Sequence, residues 1–385
     1  MKPSTDLIRP EPASEEAAPL TTPIYETTTF VFENAQEVRD YNEGRSQKFL
    51  YSRYANPTVT TVERTIATLE QAETALVLSS GQAATTTALL ALCGSGDEIV
   101  CSSAIYGGTL HLISDLLPKF GITARFVSLE DLGRPDSIFS KATRLVWFES
   151  PINPTLRCVD IAAVAAACRA RGVTSVIDNT FASPINQQPI ALGIDLVMHS
   201  ATKYLNGHSD VTAGVLAGPA RLLEPILKTR KLLGTVLDPY AAYALGRGLK
   251  TLSVRMERHN ATAMTIAKWL AQDRRVQTVY YPGLEQHPDH AIARRQMRGF
   301  GGMVCLDVGG GYAPAARFFD RLKVFRRAAS LGGVESLCSL PVLTSQWGHS
   351  EEELARAGVT HSMARLSVGL EDPEDLIADL DQALG

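Results

Sequence analysis

A lysine placed by an apolar run is the first residue in this chain that could do chemistry. Lys203 stands in Val197-Met-His-Ser-Ala-Thr-Lys-Tyr-Leu-Asn-Gly-His-Ser-Asp210, just past Leu196-Val-Met198, a short stretch that reads as a buried strand. Burial disfavours an ammonium group, so a lysine there needs a reason. A Schiff base with an aldehyde is one, because the amine then carries its chemistry as an imine. A lysine emerging into solvent at a strand end is the plain alternative. Twenty-five positions upstream, Thr174-Ser-Val-Ile-Asp-Asn-Thr180 is a second apolar run, and it ends in an acid. A parallel strand would deliver Asp178 to the carboxyl edge of a sheet, where ligands bind. An N-cap or turn role is its alternative.

A third piece completes a set. Ala75–Leu92 reads as strand, small-residue turn and helix. Backbone N–H groups at the start of such a helix make a phosphate site, aided by the helix dipole. Gly81 permits close approach to that backbone. The turn is neither a G-x-G-x-x-G fingerprint nor a P-loop. An imine-forming lysine, a carboxylate for a protonated pyridine nitrogen and a phosphate site are what pyridoxal 5'-phosphate (PLP) requires.

Six blocks, in order, extend this reading: Tyr51-Ser-Arg-Tyr-Ala-Asn-Pro57, Tyr106-Gly-Gly-Thr109, Glu149-Ser-Pro151, His199–Asp210, Ser330-Leu-Gly-Gly-Val-Glu-Ser-Leu337 and Arg365-Leu-Ser-Val-Gly-Leu-Glu-Asp372. With them the chain, from about Pro19 to Leu384, resembles the Cys/Met-metabolism family of PLP-dependent enzymes. That family includes cystathionine γ-synthase, cystathionine γ- and β-lyases, methionine γ-lyase and the O-acylhomoserine sulfhydrylases.

Bulk properties agree with a globular enzyme. The chain has 385 residues, 45% hydrophobic and 20% charged, with a formal charge of −4. That length allows more than one core. An acidic balance disfavours nucleic-acid binding. No apolar run approaches a bilayer span, and the first residues carry no signal-peptide core. The six cysteines are scattered with no Cys-x-x-Cys pair. Neither zinc nor a disulfide framework is expected, and a cytoplasmic setting is.

Residues 1–50 read as an extended arm, 51–248 as a PLP-binding domain and 249–385 as a C-terminal domain. In the second segment, strands over 75–78, 98–101, 124–126, 145–148, 175–178, 196–199 and 214–217 alternate with helices over 58–71, 81–92, 108–119 and 161–171. That alternation predicts a mostly parallel α/β sheet. The third segment shows a long helix over 251–272, a strand near 302–307 and helices over 312–321 and 373–384. The resemblance implies fold type I, a large sheet domain with a smaller C-terminal α/β domain.

The resemblance also implies roles. Lys203 would form the Schiff base and then move protons. Asp178 would pair with the pyridine nitrogen, and Tyr106 would stack on the ring and protonate a leaving group. Gly81, Gln82, Ser200 and Thr202 would hold the phosphate, joined by Tyr51 and Arg53 from a neighbouring subunit. Arg365, Ser330 and Asn153 would hold the substrate carboxylate, with Glu149 lying behind the site. A homodimer with shared active sites follows, commonly paired into a homotetramer.

The implied reaction is γ-elimination or γ-replacement on a sulfur amino acid or homoserine ester. Cystathionine γ-synthase/γ-lyase-like and methionine γ-lyase-like activities stand side by side, ahead of O-acylhomoserine sulfhydrylase and of a β-lyase. Ala329 occupies a position where the cystathionine enzymes commonly carry glutamate, which weakens recognition of a distal ammonium. Gly108 stands where methionine γ-lyases commonly carry cysteine. Trp347 and His349 read as pocket or loop residues. A catalytically idle assembly module, or an aminotransferase or decarboxylase on the same cofactor, is the alternative from another class.

Overall fold

Seven short apolar runs become seven strands. They are β1 (Thr74–Leu78), β2 (Glu98–Ser102), β3 (Thr123–Val127), β4 (Thr143–Glu149), β5 (Thr174–Asp178), β6 (Leu196–Ser200) and β7 (Gly214–Gly218). The structure is a computed structural model describing residues 2–8 and 19–385. The strands join in the order β1-β7-β6-β5-β4-β2-β3. The five from β6 to β3 are parallel, and β7 runs antiparallel to both its neighbours. Parallel strands covered by helices on both faces are apolar on both faces. Accordingly Leu145 and Trp147 pack with Leu89, Val176 and Ile226, while Val146 and Phe148 pack with Val164, Cys168 and Ile177 on the other side.

Caps set the helix starts. Asn56 accepts from Thr58 N, with Pro57 first in the helix Pro57–Glu70. Ser80 accepts from Ala83 N and opens the helix Gly81–Leu92, and Asp160 opens Ile161–Arg171. These side chains satisfy N–H groups that have no partner inside the helix. The helix expected over 108–119 is instead three pieces: Gly107–His111, a wider π turn over Leu112–Leu116 and a tight turn over Leu117–Phe120. Pro118 is the reason, since it has no N–H and its ring crowds the preceding turn. The expected arm over residues 1–50 lies partly outside the described residues. Within those described it is not wholly extended, because Asn34 caps a helix over Ala35–Asn42.

Beyond the helices Ala220–Leu233, Pro239–Leu249 and Leu252–Leu270 lies a second sheet. Its strands are β8 (Thr278–Tyr280), β9 (Met303–Asp307), β10 (Arg326–Arg327), β11 (Leu337–Ser339) and β12 (Met363–Ser367), in the order β10-β11-β12-β9-β8. Its apolar face, with Val304, Leu306 and Leu366, shares one core with Leu245, Leu249, Met256 and Ile266. Among the described residues no helix is long and apolar enough to cross a membrane.

Candidate active site

Register, rather than sequence proximity, assembles the site. Pairing of β4, β5 and β6 puts Glu149 opposite Asp178, and Asp178 opposite Met198, in one row at the carboxyl edge. Because β7 runs the other way, its first residue, Gly214, sits beside both Ser200 and Leu78. The turn Ser79–Gly81 therefore reaches the same edge. Two glycines make this approach possible. A Cβ on Gly214 would lie 2.0 Å from Ser80 O, and one on Gly81 would lie 2.9 Å from Ser200 Cβ. Gly81 thus lets Ser200 in, a closer constraint than approach of a ligand alone.

A cavity of about 540 Å³ opens at this edge. Lys203, Asp178, Met198 and Thr180 line it together with Gly81, Gln82, Ser200 and Thr202. The Gly81 and Gln82 N–H groups precede the first intrahelical hydrogen bond, Ala84 N to Ser80 O. Tyr106 lines a wall and is half exposed. Arg365 on β12 and Asn153 on the loop after β4 line it as well. Ser330 opens onto a neighbouring groove and reaches the cavity through Lys203, whose Nζ donates to its Oγ at 3.1 Å.

Burial sets the charges. Lys203 is pushed below the usual lysine range by burial and by the charge of Arg365, which favours the neutral amine a Schiff base requires. Burial raises both Glu149 and Asp178, and Asp178's charge raises Glu149 further. Two adjacent buried carboxyls resist ionising together. Asp178 Oδ1 accepts from Thr180 N at 3.0 Å and Thr180 Oγ1 at 2.5 Å, and these bonds favour its ionised form. Glu149 Oε1 accepts from Tyr106 N at 2.5 Å and so fixes the tyrosine's backbone.

Arg365 is buried at 6% exposure. Its Nη1 donates to Asn153 Oδ1 at 2.8 Å and its Nη2 to Ser330 O at 3.3 Å, while its Nε has no partner. An unpartnered buried N–H at a cavity wall fits an incoming carboxylate, which a guanidinium grips as a fork.

Tyr51 and Arg53 do not line this chain's cavity. Arg53 Nη1 donates to Lys231 O at 2.6 Å, and its guanidinium lies over the rings of Tyr51 and Tyr54. The motif reading did not single out Thr180, which joins Asp178 to Ser200 N through one hydroxyl. Its place two residues after the acid was the available signal. Among the described residues no cluster of His, Cys, Asp and Glu is placed to hold a metal. The side chains present do fit PLP: a desolvated amine, a buried carboxyl group that accepts two hydrogen bonds, and helix-start N–H groups with a serine beside them, all at one cavity.

A mostly parallel sheet with a lysine and an aspartate at its carboxyl edge, closed by an arginine from a smaller sheet, defines a fold-type I PLP enzyme. The chain belongs to the Cys/Met metabolism PLP-dependent enzyme family, whose sequence profile matches residues 4–385. It is 44% identical over 366 residues to cystathionine gamma-synthase 1, chloroplastic, of Nicotiana tabacum, spanning 95% of this chain and 68% of that one. It is 41% identical over 367 residues to L-methionine gamma-lyase of Pseudomonas putida, spanning 95% and 92%. The crystal structure of cystathionine gamma-lyase from Lactobacillus plantarum complexed with L-serine superposes with a TM-score of 0.93 at 37% identity, covering 100% of this chain and 98% of that one. The protein is a PLP-dependent enzyme of γ-elimination or γ-replacement.

The glycine argument has a measurable consequence. Gly81→Ala forces Ser200 away from the helix start and is expected to weaken PLP binding roughly tenfold, the worth of about one charge-assisted hydrogen bond. Titrating apo-protein with PLP and following its visible absorption checks this; an unchanged Kd would remove Ser200 from the phosphate site.

Proposed function

We propose that this cavity carries out γ-chemistry on an L-amino acid whose γ-substituent is uncharged. The observation that carries the reading is a single cavity lined by Lys203, Asp178, Asn153 and Arg365, in which Lys203 Nζ donates to Ser330 Oγ and Arg365 Nη1 to Asn153 Oδ1. PLP, when bound, supplies an electron sink for the pair left at the substrate Cα. The remaining work falls to the chain's own residues. Arg365, Asn153 and Ser330 hold the α-carboxylate. Lys203 removes the Cα proton and then a Cβ proton. The Tyr106 hydroxyl donates a proton to the heteroatom leaving Cγ. Gly81, Gln82, Ser200 and Thr202 hold the phosphate. Return of protons with water releases 2-oxobutanoate and ammonia; addition of a thiol at Cγ forms a thioether.

The uncharged tail follows from a charge inventory. The carboxylates lining the cavity are Glu149 and Asp178, and both are engaged, by Tyr106 N and by Thr180. Ala329, Leu331 and Leu343 supply apolar wall. A distal ammonium would meet no free carboxylate from this chain. The names of relatives span both cystathionine and methionine chemistry, and this inventory favours the methionine-type tail.

Tyr51 and Arg53 belong, in this reading, to the cavity of a second copy. Beside them Leu232 is 86% exposed, and Tyr51 and Leu233 are also exposed, an apolar surface of the kind that interfaces cover. The dimer would pair further into a tetramer through the N-terminal arm. The break between helices Pro239–Leu249 and Leu252–Leu270 supports a cofactor-binding unit over 51–248 and a C-terminal unit over 249–385. All six cysteines are free and buried, which supports a reducing, cytoplasmic setting.

The test is a substrate panel on the purified yellow protein: L-methionine, L-cystathionine, L-homocysteine, and O-acetyl- and O-succinyl-L-homoserine, each with and without L-cysteine or sulfide. Products from methionine or O-acetylhomoserine at higher kcat/KM than from cystathionine are expected. A clear preference for cystathionine would overturn the uncharged-tail reading, and no reaction with any of them would overturn the assignment of the site.

A further inference from the structure

A buried cation with no carboxylate partner among the described residues stands directly behind the lysine turn. Arg255 is 3% exposed, in the first turn of the helix Leu252–Leu270. Its Nη1 donates to Tyr204 O at 2.7 Å; its Nη2 donates to Leu205 O at 3.3 Å and to Gly248 O at 2.9 Å; its Nε donates to Thr251 Oγ1 at 3.0 Å. All four acceptors are neutral. Burying an arginine without a carboxylate is costly, and burial lowers it to about 10. Such a residue survives where its donors meet a need that nothing else in the fold meets.

That need is visible in the turn itself. Lys203 N bonds to Ser200 O, Asn206 N to Ala201 O and Gly207 N to Lys203 O. These bonds leave the carbonyls of Tyr204 and Leu205, the two residues after Lys203, for the guanidinium. Buried carbonyls without donors would destabilise the turn. The surroundings are cut to fit. Gly207 has φ +75°, and a Cβ there would lie 2.0 Å from Arg255 Nη1; a Cβ on Gly248 would lie 2.2 Å from Asn206 O. From the opposite side Val334 N donates to Gly207 O at 3.0 Å, and a Cβ on Gly332 would lie 3.1 Å from the Lys203 carbonyl carbon. The lysine turn is thus gripped between Arg255 and the loop that carries Ser330.

We propose that Arg255 is a positioning residue for the reaction: through the Tyr204 and Leu205 carbonyls it fixes the backbone from which Lys203 reaches the cofactor and the substrate Cα. The inference rests on the reading of Lys203 as the cofactor lysine. A planar fork that spans three carbonyls suits arginine, and a lysine could satisfy only part of it.

Arg255→Met removes the donors at similar length, and Arg255→Lys retains some of them. In the holoenzyme, Arg255→Met is expected to release PLP roughly tenfold faster, to diminish the visible circular dichroism of the bound cofactor and to lower kcat roughly tenfold, while KM stays within about twofold because Arg365 and Asn153 are untouched. Arg255→Lys should fall between it and the parent on each readout. A folded Arg255→Met protein with parental release rate, dichroism and kcat, changed only in Tm, would make the residue merely structural and overturn the proposal. Should Arg255→Met not fold, Thr251→Val and Gly207→Ala decide. The first removes the acceptor of Arg255 Nε and the second drives Nη1 from the turn, and the same loss of dichroism and faster release are expected. Parental values in both would overturn it equally. A parent protein that binds no PLP and shows no γ-chemistry would instead sink the functional reading, a result distinct from variants that fail to move.

Discussion

Lys203→Ala is expected to lower turnover by about four orders of magnitude or more while leaving the fold intact. In the proposed function one group would serve as the amine that holds the cofactor and as the base at Cα and Cβ, and positioned bases alone are worth about 10²–10⁴ in rate. The fold should tolerate the change for a local reason. Lys203 Nζ makes a single hydrogen bond, to Ser330 Oγ, and its burial already disfavours charge. The backbone of the turn is held independently, by Arg255 and by the bond from Gly207 N to Lys203 O. Removing a desolvated amine should therefore leave Tm within a few degrees, or raise it. Single-turnover kinetics with the best panel substrate, beside a thermal melt, tests both halves. Turnover within tenfold of the parent would remove the lysine from its role. Loss of the folded state would mean that the amine contributes to stability in a way the structure does not show.

Much of the large sheet was legible because its strands are buried on both faces. Runs such as 145–148 and 175–178 are mostly apolar, and the strands that contain them, Thr143–Glu149 and Thr174–Asp178, are longer by three residues and by one. Their order was not legible. Nothing local says that β7 reverses, yet that reversal places Gly214 against Ser80 and brings the phosphate turn to the lysine. The helices Ala220–Leu233 and Pro239–Leu249 went unread because Pro219, Pro225, Gly234 and Pro239 look like breakers. In the structure Pro219 and Gly234 cap the first helix and Pro239 opens the second. Strands β10 and β11 are two and three residues long, and β12 carries Arg365 at its centre, so neither length nor alternation marked them. Lys203, Asp178, Tyr106 and Arg365, which line one cavity, stood out because their neighbours form long motifs. Arg255 and Thr180 were not, because their partners are backbone carbonyls in one case and a hydroxyl-to-acid bond in the other. No pattern of side chains records such contacts.

The placement of Arg53 leads to a quantitative expectation for mixed subunits. Arg53 is bound to Lys231 O and covered by Tyr51 and Tyr54, not directed into its own chain's cavity. In the proposed function this guanidinium would serve the phosphate of a second copy. Arg53→Ala should weaken PLP retention by roughly ten- to a hundredfold, the range for one or two charge-assisted bonds, and should be nearly inactive at limiting cofactor. Lys203→Ala is inactive for the reason given above. When the two are mixed and allowed to exchange, half of the dimers are hybrids. In each hybrid one site takes Lys203 from one chain and Arg53 from the other, and the second site lacks both. Random pairing therefore restores roughly one quarter of the parental sites. Activity at limiting PLP should climb from near zero to about that fraction over the time course of subunit exchange, which fluorescence transfer between labelled copies follows in parallel. If exchange runs to completion and activity stays at baseline, each cavity is built from one chain, and Arg53 acts where the structure shows it, at the end of the helix Ala220–Leu233.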